Sequence, residues 1–575
     1  MSDFEKMVKG RLSKMGGLVI VISLALLWRF FDISVIQHSR FLAEAEKQQR
    51  YEKKEIAQRG KIYVHDSYSD QNKLYPLAFD VKKFEISSSP KIILERKGVS
   101  EKLAGALGMK QDEVFDKINN DKIYANIKNF ASLDEAREVE DLNLVGVSVT
   151  PQYSRYYPEN NLASHVLGFV NRESNGNYGF EGHYNNELRG LPGEIVGIQD
   201  SYKRLINFVD EKQPQDGTSY ILTIDRSVQY FVEKKLKEYI ESTKSDSGSV
   251  VIMDVKTGGV VAMAALPNFD PNKYYEFADL NSNLFVNPVI AGLYEPGSII
   301  KPIVMSGALS EGVVTKDTKE TFSNMTVVDG YEIHTAENTA FGEETMSDII
   351  KNSDNVGMVW VSEKLGKDNI YKYVKDFNLL DKTRIDLDSE VVGNVPEFKY
   401  WKDINRSTIA FGQGVSVTPI ALVSAYAAIA NKGVYIYPHI VDKMVSEGGL
   451  AKSVDKQEGK RVIKEEAARD VIAMMVRAVD EGHAKKAGVA GFDVAAKTGT
   501  AQISTANGYD FSESGLGIYN HSLAGIAPAS DPRYAMIVRL ERPKLSKYAE
   551  STAAPLFGDI SSFLLNYYYR LNPTR

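Results

Sequence analysis

Residues 292–304 read GLYEPGSIIKPIV. Ser298 and Lys301 stand three apart, behind Pro296-Gly297 and ahead of Pro302, in an otherwise apolar stretch. Pro-Gly makes a turn, and Ser298 then opens a helix on which residues three apart share a face, their Cβ atoms about 5–6 Å apart. The start of a helix adds positive potential at the serine oxygen. A lysine held among Ile299, Ile300, Ile303 and Val304 is partly desolvated, which lowers its pKa towards neutrality. Such an amine can take the serine's proton, giving an activated nucleophile without histidine.

Alone, the pair is a weak signal, because Ser-x-x-Lys is more often a helix N-cap with a solvated lysine. It recurs at Ser88–Lys91, with Pro90 inside it, and at Ser453–Lys456 in a polar loop, and neither copy makes a helix-start pair. Two further motifs strengthen it. KNSDNVG holds Ser353-Asp354-Asn355, the sole Ser-x-Asn of the chain, and AAKTGTAQ holds Lys497-Thr498-Gly499-Thr500. A second Lys-Thr-Gly, Lys256-Thr257-Gly258, falls in a predicted hairpin turn, which explains it. Lys497 instead follows the small-residue run GFDVAAK, compatible with a strand beside a cleft.

Each residue type has a task. Ser353 can relay a proton between the lysine and a leaving amine. Asn355 offers amide hydrogen bonds to a peptide backbone. Lys497 and the hydroxyls of Thr498 and Thr500 suit a terminal carboxylate, and Gly499 lets the backbone approach a ligand closely. The backbone N–H groups of Ser298 and Thr500 can form an oxyanion hole. Ser-x-x-Lys, Ser-x-Asn and Lys-Thr-Gly together mark serine acyl-transfer enzymes that react with penicillin.

The totals narrow the alternatives. With 575 residues, two or three domains are expected. The chain is 43% hydrophobic and 25% charged, a globular composition. A net charge of -7 gives no sign of a basic surface, so nucleic acid is not expected as a partner. The absence of cysteine excludes thiol nucleophiles, thiolate zinc sites and disulfides. The eight histidines are scattered without metal-ligand spacing, so no metal site is expected.

Residues 1–15 carry Lys6, Lys9, Arg11 and Lys14, and GGLVIVISLALLWRFFDISVI follows at 16–36. The uncharged part, Gly16 to Trp28, covers only about 20 Å of a roughly 30 Å bilayer core. Extended to Ile36 it spans the core, with Arg29 and Asp32 placed to pair at i, i+3. A retained single-pass anchor with its basic flank cytoplasmic is favoured over a cleaved signal peptide or a buried core helix. Residues 39–56 are expected to form a solvated helix. From there to about Lys212 the chain mixes short strands, charged helices and turns, as in KFEISSS (strand) and VSEKLAGALGMKQDEVFDKI (helix), with no catalytic constellation. From about 215, a strand and long amphipathic helix lead into a hairpin (GSVVIMDVKTGGVVAMAAL), helical segments at 298–378 and 418–431, a second hairpin turning at 529–532, and a last helix at 553–569. This pattern predicts an α+β domain, an antiparallel sheet flanked by helices with a helical subdomain.

Beyond these motifs, RYYP (155–158), ASHVLGFV (163–170), YGFEGHYNNELRGLPG (178–193) and AFGQGVSVTPIAL (410–422) complete a set of signatures. With them the chain resembles the class B penicillin-binding proteins, monofunctional peptidoglycan D,D-transpeptidases, from the anchor to the C-terminus. The resemblance implies a cytoplasmic tail at 1–15, a transmembrane helix at 16–36, an elongated α/β pedestal of the dimerisation type at 37–212, and a transpeptidase domain at 213–575. EPGS in place of PPGS leans towards the FtsI-like division type, with the elongation type close behind. It implies Ser298 as the nucleophile that releases D-Ala from a stem peptide, Lys301 as its base and Ser353 as the proton relay. Asn355 and Lys497, Thr498, Gly499 and Thr500 hold the donor. β-Lactams acylate the same serine, and neither metal nor organic cofactor is needed. Implied partners are peptidoglycan stem peptides, the membrane, a SEDS-type glycosyltransferase and divisome or elongasome proteins. A β-lactamase, a D,D-carboxypeptidase or an idle scaffold of a wall-synthesis assembly remain as alternatives. One departure stands at Val64-His65-Asp66-Ser67, where the family continues Asp-Arg-Asn-Gly after Arg59-Gly60-Lys61-Ile62-Tyr63. The loop 503–520, rich in Gly and Ser, is expected to be mobile and to line the cleft.

Overall fold

The structure, a computed structural model, describes residues 3–67, 73–199, 205–277, 282–446, 451–453, 458–505, 508–510, 512 and 514–571. Lys456 of one Ser-x-x-Lys copy, and residues 506, 507, 511 and 513 of the 503–520 loop, lie outside these. The chain divides into two compact units, one of residues 1–58 with 190–216 and one of residues 59–189 with 217–575.

In the first unit a helix runs from Asp3 to Phe31 and continues as one π-turn over Asp32–Ile36. Phe4–Ile36 is long and apolar enough to cross a membrane, with mean hydropathy 2.2 over its most apolar 18-residue window and none of that window buried. Arg29 Nη1 reaches Asp32 Oδ2 at 2.7 Å, the pairing expected from their spacing. The solvated helix expected over 39–56 is shorter than that: it covers His38–Gln49, and Arg50–Glu55 is a strand. RYEKKE has no apolar face to anchor it as helix, and the antiparallel ladder it forms with Gly193–Ile198 satisfies its backbone instead. Leu205–Lys212 completes this three-stranded sheet.

The second unit opens with strands Ile62–His65, Leu74–Ser88, Ala125–Ala131 and Val147–Tyr156. The departing segment at 64–65 is simply the end of the first of these, paired parallel to Ser219–Asp225 and antiparallel to Leu74–Ser88. The run expected as helix at 99–118 is two helices, broken where Gly108 turns left-handed at φ +61°. The side chains of Arg155 of RYYP and Glu181 of YGFEG are buried partners, and Arg59 and Asp80 complete their network.

The rest of the unit is built on helix α1 (Arg226–Thr243), strands β1 (Ser247–Asp254) and β2 (Val260–Leu266), helices α2 (Lys301–Glu311), α3 (Met346–Asn352), α4 (Asn355–Leu365), α5 (Pro419–Ala430) and α6 (Glu465–Asp480), strands β3 (Ala495–Gln502), β4 (Tyr519–Ala527) and β5 (Tyr534–Glu541), and helix α7 (Ala553–Leu571). The five strands make one antiparallel sheet in the order β2-β1-β5-β4-β3. Both predicted hairpins, β1–β2 and β4–β5, are present. Both sheet faces are covered. Val250, Ile252, Leu523 and Val538 face a core shared with α1 and α7, and Val251, Met253, Ile526 and Ile537 face a core shared with α2 and α5. Two buried faces explain why these strands read as continuous apolar runs without alternation. Every residue of α5 is buried, as its all-round apolar sequence requires. The span 298–378, expected as helix alone, also holds short strands at Lys319–Phe322, Met325–Val328, Tyr331–His334 and Gly342–Thr345. These pair as 319–322 with 342–345 and 325–328 with 331–334. Their polar, mostly exposed sequences carry no period that separates them from helix.

Candidate active site

Ser298 lies on a single 3₁₀ turn, Gly297–Ile300, that feeds α2. The turn is clamped on both sides: Gly297 N donates to Gly412 O at 3.0 Å, and Tyr426 OH donates to Ile299 O at 2.7 Å. Ile299 and Ile300 are buried while Ser298 is half-buried. Among the described residues the Ser298 hydroxyl has no hydrogen-bond partner.

Lys301, the first residue of α2, is fully buried. Its Nζ donates to Ser353 O and Asn355 Oδ1, both at 2.7 Å, and lies 3.4 Å from Ser353 Oγ. Burial pulls its pKa down to about 7, against the opposing pull of the Asp354 and Glu344 carboxyls. Ser353 is the αL residue between α3 and α4, at φ 57° and ψ 36°. Asp354 follows it and caps α4, accepting from Val356 N and Gly357 N. Lys497 reaches the same serine from β3, its Nζ donating to Ser353 Oγ at 2.8 Å and to Thr498 O at 3.1 Å. It is 1% exposed, and burial followed by the nearby Lys301 charge holds its pKa well below the ordinary lysine value. One hydroxyl, Ser353 Oγ, therefore sits between two buried amines drawn from residues 52 and 144 positions away.

The expected residues thus gather at one place, with particulars that spacing did not give. Lys301 bonds to the Ser353–Asn355 turn, and no hydrogen bond joins it to Ser298 Oγ. Both ends of the Asn355 amide are engaged, Oδ1 by Lys301 and Nδ2 by donation to His334 O at 3.0 Å. Thr500 Oγ1 accepts from Ala549 N at 3.2 Å. Thr498 is 8% exposed and its hydroxyl makes no hydrogen bond among the described residues. Gly499 is required by close approach to the chain itself: a Cβ there would lie 2.9 Å from Pro296 O and 3.0 Å from Ile299 Cγ2. The Lys256–Gly258 copy is the β1–β2 turn, with Gly258 at φ +82°.

Two carboxyls near the site are given no chemical role by the motifs. Glu344 is buried beside Asn352 and influences Lys301. Glu295, the residue before Pro296, accepts from Gly414 N at 3.1 Å and from Tyr509 OH at 3.2 Å, and burial raises its pKa. Tyr509 belongs to the 503–520 loop, which brings this part of it to the segment carrying Ser298. Among the described residues no cluster of His, Asp or Glu could hold a metal ion.

The chain has counterparts among known proteins. Residues 248–562 match the family described as the penicillin binding protein transpeptidase domain, and residues 54–222 match the penicillin-binding protein dimerisation domain. The chain belongs to the class B penicillin-binding proteins. Among relatives of this class B protein, the peptidoglycan D,D-transpeptidase FtsI of Escherichia coli K12 is 31% identical over 85% of this chain and 81% of its own length. Stage V sporulation protein D of Bacillus subtilis is 33% identical over 80% of this chain and 72% of its own. The crystal structure of a peptidoglycan synthetase from Bifidobacterium adolescentis matches with a TM-score of 0.73 at 25% identity, covering 90% of this chain and 97% of that one. In this class B fold, β3 is an edge strand of the five-stranded sheet among the described residues.

Proposed function

We propose that the chain cross-links peptidoglycan stem peptides through an acyl-enzyme on Ser298, in the division-type role of the FtsI relatives. The observation that carries this is the buried Lys301–Ser353–Lys497 chain, whose Lys301 opens the helix fed by the turn that bears Ser298. Lys301, its pKa brought down to about 7 so that a large fraction is neutral at that pH, takes the Ser298 proton as the oxygen attacks the carbonyl of the penultimate D-Ala. The backbone N–H groups of Ser298 and Thr500 stabilise the oxyanion. The proton passes through Ser353 to the departing D-Ala amine, and an amine of a neighbouring stem then resolves the acyl-enzyme. Lys497, Thr498 and Thr500 set the local field and hydroxyls for the donor carboxylate, and Asn355 fixes Lys301 on this side of the cleft. β-Lactams acylate the same hydroxyl. The apolar helix at 16–36 anchors the chain in the membrane, with residues 1–15 cytoplasmic, a pedestal at 37–212 and the transpeptidase domain at 213–575 outside. The basic residues Lys6, Lys9, Arg11 and Lys14 support that orientation. A SEDS-type polymerase and other division proteins are the expected partners.

The test is intact mass after exposure to penicillin, with a peptide map of the adduct. One penicilloyl group on the 292–304 peptide, absent from Ser298→Ala, is expected. Equal labelling of both proteins refutes the assignment. An adduct lifetime of fractions of a second identifies a β-lactamase instead, and transfer only to water in the presence of an amine acceptor identifies a carboxypeptidase.

A further inference from the structure

Glu344 lies on the short strand Gly342–Thr345 and has no part in the reaction as described. It is 2% exposed. Its Oε1 accepts from Asn352 Nδ2 at 2.7 Å, while Oε2 is buried and has no hydrogen-bond partner. The Asp354 carboxyl is a neighbouring charge that acts on it. Asp354 is fully buried and already accepts from Val356 N at 2.8 Å and Gly357 N at 2.9 Å. Two facing carboxyls can share a hydrogen bond only over a proton. Asp354 is already committed as an acceptor to two N–H groups, so the proton of such a bond is the one Glu344 supplies.

We propose that Glu344 is a positioning residue for the transpeptidase reaction, a neutral carboxyl that accepts from Asn352 and donates to Asp354. Asn352 and Asp354 flank Ser353, so one side chain holds the residues on either side of the relay serine. Ser353 needs holding, because its left-handed backbone is strained for a residue other than glycine. Burial first, with Asp354 and Asp348 beside it, pushes the Glu344 carboxyl up to about 8. The other charges around it are accounted for. Asp348 of α3 is paired with Lys351 at 3.1 Å and with Arg477 of α6 at 3.2 Å, and Glu320 is the register partner of Glu344 across the short sheet.

This rests on the reading of Lys301 as base and Ser353 as relay, and the test separates the two. The full chain in detergent is titrated for its rate of acylation by fluorescent penicillin against pH, as wild type, Glu344→Ala and Glu344→Gln. Glu344→Ala is expected to slow acylation of Ser298 about 10- to 100-fold through misplacement of Ser353. Glu344→Gln, which can make both hydrogen bonds, is expected to restore most of that rate with the acid limb at the wild-type pH. If Glu344 is ionised, Glu344→Gln removes a negative charge beside Lys301 and its acid limb moves to lower pH, which overturns the proposal. Wild-type rates in Glu344→Ala overturn it too. Should Glu344→Ala not fold, the pH profile of Glu344→Gln decides alone. Failure of wild type to acylate at Ser298 refutes the underlying reading, whatever the Glu344 variants do.

Discussion

Lys301 shows how far one residue can be pushed from its solution chemistry. Its ammonium meets three acceptors, Ser353 O, Asn355 Oδ1 and Ser353 Oγ, in a fully buried setting, and desolvation wins over those contacts to bring its pKa from 10.5 to about 7. Two consequences differ in sign. Acylation needs the neutral amine, so its rate is expected to rise with pH through about 7 and then level off, as read by penicillin labelling. For folding, the unfolded chain binds the proton more tightly than the folded one. Between about 7 and 10.5 stability therefore increases with pH, and below that window the full cost of the buried amine is felt. Lys301→Met keeps the length and discards the charge. It is expected to slow acylation about 10²- to 10⁴-fold, while the melting temperature at neutral pH stays level or rises and its dependence on pH above 7 flattens. A fall in both activity and melting temperature would mean that the amine is held charged by its acceptors.

At the scale of elements, the site depends on how closely β3 approaches the turn that carries Ser298. A Cβ on Gly499 would lie 2.6 Å from Ser522 Oγ, 2.9 Å from Pro296 O and 3.0 Å from Ile299 Cγ2. The serine hydroxyl can rotate away, but the Pro296 carbonyl is main chain and the isoleucine is buried. Gly499→Ala is therefore expected to destabilise the protein by about 1–3 kcal/mol, and to cut acylation by about 10²-fold by shifting Lys497 and Ser353 relative to Ser298. Adding Ser522→Ala relieves one contact of the three, so melting temperature recovers in part and acylation does not. Sequence reasoning reached this strand and its glycine, because the Lys-Thr-Gly run and its small-residue approach are local features. It reached both hairpins and the last helix for the same reason. It assigned the glycine's closeness to a ligand, since no period in the sequence reports that β3 and the Ser298 turn touch. Arg50–Glu55 was misread as helix because its strand partner lies over a hundred residues away, at Gly193–Ile198. Glu344 was invisible, being an acidic residue in GEETMSD, a segment that reads as surface until its strand is folded under α3.

At the scale of the whole molecule, the larger unit joins its N-terminal strands to the rest through buried charge. Glu181 has no exposed surface, and its carboxylate accepts from Arg59 Nε and Arg155 Nε, both at 2.7 Å, and from Tyr157 OH at 3.3 Å. Arg155 also donates to Asp80 Oδ1 at 3.2 Å, and Arg59 N donates to Asp80 Oδ2 at 2.9 Å. Residues 59, 80, 155 and 181 are thereby fixed together across 122 positions of chain. Such a cluster adds little over a well-packed apolar one, but removing a single member leaves the others charged and dry. Glu181→Ala strands two guanidinium groups and is expected to cost about 3–5 kcal/mol in urea unfolding. Burial alone would raise the Glu181 pKa, but Arg155 and then Arg59 outweigh it and hold it below the usual carboxylate value. Its contribution is therefore complete above the ordinary range near about 4 and is lost as pH falls through the lowered value. Urea midpoints of wild type and Glu181→Ala should accordingly stand far apart at neutral pH and draw together on strong acidification, while penicillin labelling per folded molecule is unchanged, because Glu181 touches no residue of the Ser298 site. A gap that does not narrow in acid would show that shape rather than charge holds these strands to the unit.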